Sequence, residues 1–301
     1  MKVLSYQCSG VAWVPYRIGR CLAAAGSSVE FVAAAPSGGG LESYGLPALT
    51  CRGDLSALLR SMAPDVLHLH HDVAAQRLIR IARGVAPNCR IIVTIHGEPD
   101  RSRGQLGAMV PDAYHVVAPD LASLRGTSRC RTRWIPNHPG EDGRPAGPDR
   151  RMAVWVPDSH VVSFKDHDRL AAEERSLAAA GIAVERERGI VPNHVVLDRL
   201  RTSLAVWVQQ RGYLDLLTME AMQAGCLPIV DADVAAWGGG VGIGFPPSLV
   251  NGWAAGGLAT KLLAMAGSGA ADRNADGMRR QWTAARVGAR WHDTYHALIA
   301  G

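Results

Sequence analysis

The sequence lacks cysteine motifs, long apolar runs and, almost entirely, lysine. Its six cysteines include no C-x-x-C pair, which excludes a zinc ribbon or a thioredoxin-type motif and suits reduced thiols in a cytoplasm. No stretch approaches the roughly 20 apolar residues that a membrane-spanning helix needs. The first residues read as a β-strand and lack the apolar run of a signal peptide. These absences predict a cytoplasmic protein without integral membrane association.

The charged residues are unevenly distributed along the chain. The chain has 301 residues, 48% of them hydrophobic and 20% charged, which predicts a folded protein with one large domain or two ordinary ones. Lys2, Lys165 and Lys261 are the only lysines among 32 basic residues. Residues 1–140 hold 15 basic and 9 acidic side chains (+6), whereas residues 141–301 hold 17 and 18 (−1). This asymmetry indicates that the first half faces something anionic.

Strand-like and helix-like segments alternate in two series, one before and one after a proline- and glycine-rich linker at 137–151. This rhythm predicts parallel sheets with helices on both faces. We therefore expect an α/β fold with two doubly wound, Rossmann-like domains that face a cleft. The first domain is predicted at 1–140, with a C-terminal helix at 281–301 packed back on it, and the second at 141–280. Ligands in such sheets bind at the carboxyl ends of the strands.

The most informative segment is Tyr213–Val230, YLDLLTMEAMQAGCLPIV. A carboxylate, Glu220, lies in a predicted helix that stops at Gly225 and leads into a buried strand. The segment resembles the family 4 glycosyltransferases of the two-domain GT-B fold, whose second domain carries Glu-Ala-Met-x-x-Gly-x-Pro and two hydrophobic residues. Here one extra residue separates Gly225 from Pro228. The resemblance implies a nucleotide-sugar-dependent glycosyltransferase.

Weaker matches follow in the order that this family shows, so the resemblance extends over nearly the whole chain. They are Pro64–His70, Ile92–Gly97, Val116–Pro119, Trp134–Asn137 and the terminal helix with Trp291 and Tyr295.

The resemblance implies a role for each donor-side residue. Glu220 matches the glutamate that binds the ribose hydroxyls of the donor, and a carboxylate can accept two hydrogen bonds from a vicinal diol. His96, at the end of a predicted strand, matches the histidine beside the donor sugar. The amides of Leu216 and Leu217, at the helix start, are expected to bind the diphosphate.

Departures from the family concern the charges around the donor. Gly212 stands where the family has a second glutamate that contacts the donor sugar. Pro157 and Asp158 stand near the family's Gly-Arg, so a phosphate-binding arginine is absent. Lys165 lies about where the family has its phosphate lysine, although an exposed loop lysine explains it nearly as well. Arg211, just before the Glu220 helix, is the candidate replacement for the missing arginine.

These residues imply transfer of a sugar from a nucleotide-sugar, expected to be a UDP-sugar, to a hydroxyl group. His96, Lys165 and Glu220 are the expected catalytic set. Lys165, Arg211 and the helix-start amides would stabilise the departing diphosphate, which itself takes the acceptor proton. Neither a metal ion nor a further cofactor is expected. The family implies retention of the anomeric configuration, but Gly212 removes a glutamate associated with retaining enzymes.

The acceptor is expected on the first domain, which carries the positive charge. Gly10, Trp13 and His70 are acceptor-side candidates at strand ends and in the first loop. The arginine candidates are Arg101, Arg103, Arg129, Arg131 and Arg133. They favour, slightly, a hydroxymethylated pyrimidine in duplex DNA, as for compact phage glycosyltransferases that act in the cytoplasm of a bacterial host.

Other readings stay open at this point. The acceptor is alternatively a small natural product or a cell-surface precursor. With two family contact residues missing, the chain is alternatively a nucleotide-sugar-binding partner without catalytic activity. An epimerase of the same fold has less support, because the sequence shows no set of carboxylates for that reaction. His68, His70 and His71 have no carboxylate or cysteine that completes a metal site, so a polar strand end is the better interpretation.

Overall fold

The computed structural model describes most of the chain. The described residues are 1–8, 10–70, 72–95, 111–116, 131–140, 150–158, 167–208, 215–230, 243 and 245–301. The chain divides into two compact units. The first unit is Met1–Glu141 together with Ala284–Gly301, and the second unit is Asp142–Thr283.

Strands and helices alternate through both units. The strands are β1 (Lys2–Gln7), β2 (Glu30–Ala35), β3 (Cys51–Arg52), β4 (Val66–His70), β5 (Arg90–Ile95), β6 (Ala113–Val116), β7 (Arg131–Trp134), β8 (Arg151–Asp158), β9 (Ala183–Arg188), β10 (Ser203–Trp207) and β11 (Leu227–Ile229). The helices are α1 (Trp13–Ala24), α2 (Leu55–Met62), α3 (Asp72–Val85), α4 (His167–Ala179), α5 (Asn193–Thr202), α6 (Leu216–Ala224), α7 (Leu258–Gly267), α8 (Ala270–Arg280) and α9 (Ala284–Ile299).

The first unit is built on a seven-stranded sheet in the order β3-β2-β1-β4-β5-β6-β7. All of its pairings are parallel. The strands β1, β4 and β5 are buried along almost their whole length, as apolar strands covered on both faces must be. Gln7 pairs with His70, so the carboxyl ends of β1 and β4 lie side by side where the strand order reverses.

Helix α9 packs on the first unit although it follows the second unit in sequence. Its Gly288 lies against α1 so closely that a Cβ atom there would overlap the carbonyl oxygen of Cys21. Trp291 and Tyr295 on the same helix are buried. The absence of a side chain at Gly288 therefore allows α1 and α9 to approach each other closely.

The second unit has a four-stranded parallel sheet in the order β11-β10-β8-β9, extended by a parallel bridge between Ile229 and Val250. Its order reverses between β8 and β10, which are neighbours. The core on one side of the sheet includes Val154, Trp207 and Leu262. Helices α7 and α8 lie in a stretch to which the sequence pattern assigns no element.

The predicted fold class is confirmed: the protein is α/β, with doubly wound parallel sheets in both units. The terminal helix starts three residues later than the predicted residue 281 and ends at Ile299. Strand β8 begins at Arg151, the last residue of the predicted linker, and ends at Asp158.

Candidate functional site

The Glu220 helix begins at the carboxyl end of β10, beside the point where the second sheet reverses its order. Helix α6 runs from Leu216 to Ala224 and ends on Gly225, which has the left-handed φ of 72° that favours glycine. Glu220 lies one turn into this helix and is buried, with 5% of its surface exposed. A carboxylate so deeply placed is unlike the solvated glutamate of an ordinary surface helix.

The start of α6 is capped by an aspartate. The Oδ1 atom of Asp215 accepts a hydrogen bond from the amide of Thr218 at 2.7 Å. The amides of Leu216 and Leu217 have no partner among the residues that the structure describes. Two backbone donors and the positive end of the helix dipole therefore meet one carboxylate at this helix start.

Thr218 adds a buried hydroxyl to the same helix start. The side chain is fully buried, and within the described part of the chain its Oγ1 atom has no hydrogen-bond partner. Thr218 is the third residue of α6, so this hydroxyl belongs to the first turn of the helix. Neither Asp215 nor Thr218 is part of the predicted site, although the Asp-x-x-Thr spacing of a helix cap is readable in the sequence.

Several predicted site residues lie outside the described residues. They are His96, Lys165, Arg211, Gly212, Arg101, Arg103 and Arg129. Their roles stay predictions. The described residues around them fix only the strand ends that precede them in the chain: Ile95 ends β5, Asp158 ends β8 and Trp207 ends β10.

The first unit places two of its candidates at the carboxyl edge of its sheet. Gly10 follows β1 with a φ of 71°, and Trp13 opens α1. The Trp13 ring meets Tyr44 edge to face, with centroids 4.9 Å apart, and the guanidinium of Arg17 lies 5.6 Å from its centroid. Trp13 is half-buried against the apolar side chains of a small cluster that includes Leu41. It is thus partly a packing residue.

His70, the third acceptor-side candidate, is fully buried at the end of β4. Its Nε2 atom lies 2.8 Å from Ser5 Oγ, and its ring packs against that of His68 with centroids 4.1 Å apart and a tilt of 35° between the ring planes. The ring therefore packs inside the first unit, and its role in binding the acceptor substrate stays a prediction.

A chain of hydrogen bonds continues from His68 across the sheet. Tyr295 OH lies 2.8 Å from His68 Nδ1, and Thr94 Oγ1 lies 2.5 Å from His68 Nε2. Thr94 Oγ1 is 3.0 Å from His115 Nδ1, and His115 Nε2 is 2.9 Å from the carbonyl oxygen of Ile135. All four side chains are fully buried, and the most accessible of them is 1% exposed.

The carbonyl at the end of this chain fixes the tautomer of its neighbour. A carbonyl only accepts, so His115 donates from Nε2. Burial lowers the pKa of His115 to about 4, although the bond to Ile135 acts in the opposite direction, so at neutral pH the Nδ1 atom of His115 accepts from Thr94. Thr94 then accepts from His68 Nε2, and a neutral His68 accepts from the Tyr295 hydroxyl at Nδ1.

Arg131 and Arg133 lie on the edge strand β7 and are exposed. The Arg131 guanidinium donates to the carbonyl oxygens of Ala297 at 2.9 Å and Gly301 at 2.8 Å, at the end of α9 and just beyond it. These bonds place a positive charge at the C-terminus of a helix, where it is favourable. A phosphate contact by Arg131 would therefore compete with its contact to α9.

Neither a group of metal ligands nor a membrane-spanning helix occurs among the described residues. The described residues contain no group of three side chains that could hold a metal ion together. None of their helices combines the length and apolar character that a bilayer crossing requires.

No family model and no curated protein matches this sequence. Solved structures do match. AviGT4, a glycosyltransferase involved in avilamycin A biosynthesis, is 16% identical, with a TM-score of 0.64 over 100% of this chain and 98% of that one. Sucrose-phosphate synthase from Thermosynechococcus elongatus is 12% identical, with a TM-score of 0.64 over 100% of both chains.

A third similar structure contains a nucleotide-sugar. HepE of Anabaena in complex with UDP-glucose is 13% identical, with a TM-score of 0.60 over 99% of this chain and 100% of that one. At such identities the likeness shows the fold alone. The chain has the fold of the GT-B glycosyltransferases.

Proposed function

We propose that this protein transfers a sugar from a nucleotide-sugar, with UDP-glucose as the first donor to test, to an acceptor hydroxyl. The observation that carries the proposal is the α6 segment. It combines a buried carboxylate, Glu220, with the amides of Leu216 and Leu217, which no described residue engages, at the carboxyl edge of a doubly wound sheet. The GT-B fold supports the same reading.

In this proposal the second unit, near the predicted domain 141–280, binds the donor. Glu220 accepts hydrogen bonds from the ribose hydroxyls, and the amides of Leu216 and Leu217 donate to the diphosphate. Lys165 and Arg211 supply positive charge as the diphosphate leaves, and His96 orients the donor sugar. Gly212 provides no carboxylate at the sugar.

The reaction forms a new bond between the anomeric carbon and the acceptor oxygen while the bond to the diphosphate breaks. The departing phosphate takes the acceptor proton, and the anomeric configuration is retained. No metal ion or further cofactor takes part, because the amides and cations balance the phosphate charge. The product's anomeric configuration, read by NMR, tests retention.

The donor assay is the first test. The protein is incubated with a panel of nucleotide-sugars, and released nucleoside diphosphate is measured. Release, even as slow hydrolysis without an acceptor, is expected and would contradict the alternative of an inactive nucleotide-sugar-binding partner. Absence of both binding and release across the panel would overturn the proposal.

Glu220 is the residue whose change should affect donor binding most directly. Glu220→Gln keeps the shape but loses the charge, so we expect UDP-glucose to bind at least tenfold more weakly, because hydrogen bonds to a charged acceptor are strong. Calorimetric titration measures this affinity. The melting temperature without ligand should change little, and Glu174→Gln, on the partly exposed side of α4, is the control. A lower melting temperature with unchanged affinity would make Glu220 structural.

The salt dependence of acceptor binding distinguishes a DNA acceptor from a small one. The excess positive charge of the first unit supports a duplex DNA acceptor with hydroxymethylated bases; the competing acceptor is a small natural product or a cell-surface precursor. Binding through several phosphates weakens steeply with ionic strength. Arg129→Gln with Arg133→Gln should lower the slope of that dependence by up to about 0.9 for each phosphate no longer neutralised, while Arg131 is kept because it binds α9. If the wild-type protein does not bind DNA at low salt, the DNA acceptor is excluded and the small acceptor remains as the proposal.

A further inference from the structure

The start of α6 carries a negative charge at the place where the proposed function puts the donor diphosphate. Asp215 caps the helix through Thr218, and the amides proposed for the phosphates belong to the next two residues, Leu216 and Leu217. A carboxylate and a phosphate bound there would be like charges within about 6 Å, at which repulsion is appreciable even in water. A neutral asparagine or serine would cap the helix equally well.

The helix start also has an unused buried donor. The Thr218 hydroxyl belongs to the first turn, is fully buried and lacks a hydrogen-bond partner among the described residues. Buried hydroxyls in folded proteins are normally hydrogen-bonded. Independently of the cap, this unpaired hydroxyl supports the start of α6 as the place where a ligand with acceptor oxygens binds.

The repulsion from Asp215 acts unequally on donor and product. In UDP-glucose each phosphate has one ester and one anhydride linkage, and so carries one negative charge. In UDP the terminal phosphate is attached only through the anhydride and has a second pKa of about 6, so UDP carries close to one more negative charge at pH 7. A carboxylate beside the diphosphate therefore penalises UDP more than UDP-glucose.

From this difference we infer that Asp215 is a specificity-determining residue, which sets the affinity of the site for the donor relative to the nucleoside diphosphate product. The inference rests on the proposed function. It explains a charged cap at a phosphate-binding helix, because the carboxylate favours release of the more highly charged product. The net charge of the site matters here, whatever other groups contact Asp215.

The test compares the affinities of UDP and UDP-glucose for the full chain by calorimetric titration. In Asp215→Asn the cap remains and the charge is lost, so both ligands should bind more tightly and UDP should gain more. The ratio of UDP affinity to UDP-glucose affinity should rise about threefold or more, the effect of one further charge at about 6 Å in water. Asp54→Asn is the matched control, because Asp54 caps α2 in the first unit through Ala57 at 3.1 Å.

The Thr218 hydroxyl gives a second measurement. Thr218→Val keeps the shape, and we expect it to weaken both ligands about tenfold without changing their ratio, as for the loss of a hydrogen bond to a charged group. Unchanged binding of both ligands would mean that the helix start does not receive the phosphates, and would overturn the inference.

The remaining outcomes separate this inference from the proposed function. If the wild-type protein binds neither UDP nor UDP-glucose, both are overturned. If it binds them and Asp215→Asn leaves the ratio unchanged, or weakens both, the inference fails while the proposed function stands.

Discussion

The two sheets of this protein place their buried polar groups differently. In the first unit the polar side chains lie within the sheet itself and form the chain from His68 through Thr94 to His115. In the second unit the described strands bury mainly apolar side chains, such as Val154 and Leu227, with Ser203 as a polar exception, and the buried carboxylates Glu173 and Glu220 lie on helices. The comparison teaches that the buried titratable groups of the first sheet lie on its strands, whereas the buried carboxylates of the second unit lie on the helices around its sheet.

Glu173 illustrates how the second unit uses a buried charge. Its carboxylate accepts hydrogen bonds from the amides of Gly256 at 2.8 Å and Leu258 at 3.2 Å, at the start of α7. These bonds compensate the burial of the charge and connect α4 to α7. The carboxylate thus connects two helices, whereas the histidines of the first unit connect strands within the sheet.

Acidification should produce the largest difference between the two units. The pKa of His115 is about 4 in the folded protein, below the usual 6.5, because burial disfavours its charged form. The corresponding stability is complete above pH 6.5 and is lost as the pH falls from about 6.5 to about 4. The total loss is about 3 kcal/mol in the free energy of unfolding.

Hydrogen exchange resolved by peptide measures this loss in each unit separately. Between pH 7 and pH 5 the peptides of β4, β5 and β6 should lose protection relative to those of β8 and β10, after correction for intrinsic exchange. Equal losses of protection in the two units would contradict the assignment of buried His115 as the source of the lost stability.

The Tyr295 hydroxyl should have the next largest effect. Tyr295→Phe removes the donor to His68 Nδ1 and leaves a buried acceptor unsatisfied, which costs about 2 kcal/mol in the stability of the first unit. Thermal and urea unfolding measure the change. Tyr16→Phe on the half-buried side of α1 is the control and should change stability little. An equal effect of the two variants would remove Tyr295 from the chain.

The helix caps should give the smallest effects and, unlike the histidines, similar ones in both units. Asp54→Ala in the first unit and Asp215→Ala in the second each remove one capping bond and should cost about 1 kcal/mol. Exchange of the first-turn amides of α2 and α6 reports each loss locally. A much larger effect at Asp215 would show that this residue also holds the surrounding loop together.

Much of the fold was readable because local patterns carry it. The β-branched run Arg90–Ile95 and the helix ending at Gly225 both have strong local signals, and both elements lie where the pattern puts them. The sequence does not predict helices α7 and α8, because their starts follow Gly257 and Gly269 and no capping side chain marks them. In α8, Gly277 is required by the close approach of Phe245, a contact that no local pattern reveals.

The candidate site was readable only in part, for a similar reason. Glu220 is a candidate from the sequence because its motif is continuous, and its role stays a prediction. The histidine chain is not predicted from the sequence, since Tyr295 meets His68 across 227 residues. A strand with two alternating histidines looks like a polar strand end until the helix that covers it is known.

The position of α9 in the sequence has a consequence for the order of folding. The surface that Gly288 and Tyr295 cover belongs to α1 and β4, but α9 leaves the ribosome only after the entire second unit. During synthesis the first unit therefore exposes His68 to water, and the second unit can complete its core first. Each extra residue in so long a loop adds little to the entropic cost of closing it. The late synthesis of α9 therefore delays folding more than it lowers stability. Synthesis of α9 is thus the event that completes the first unit.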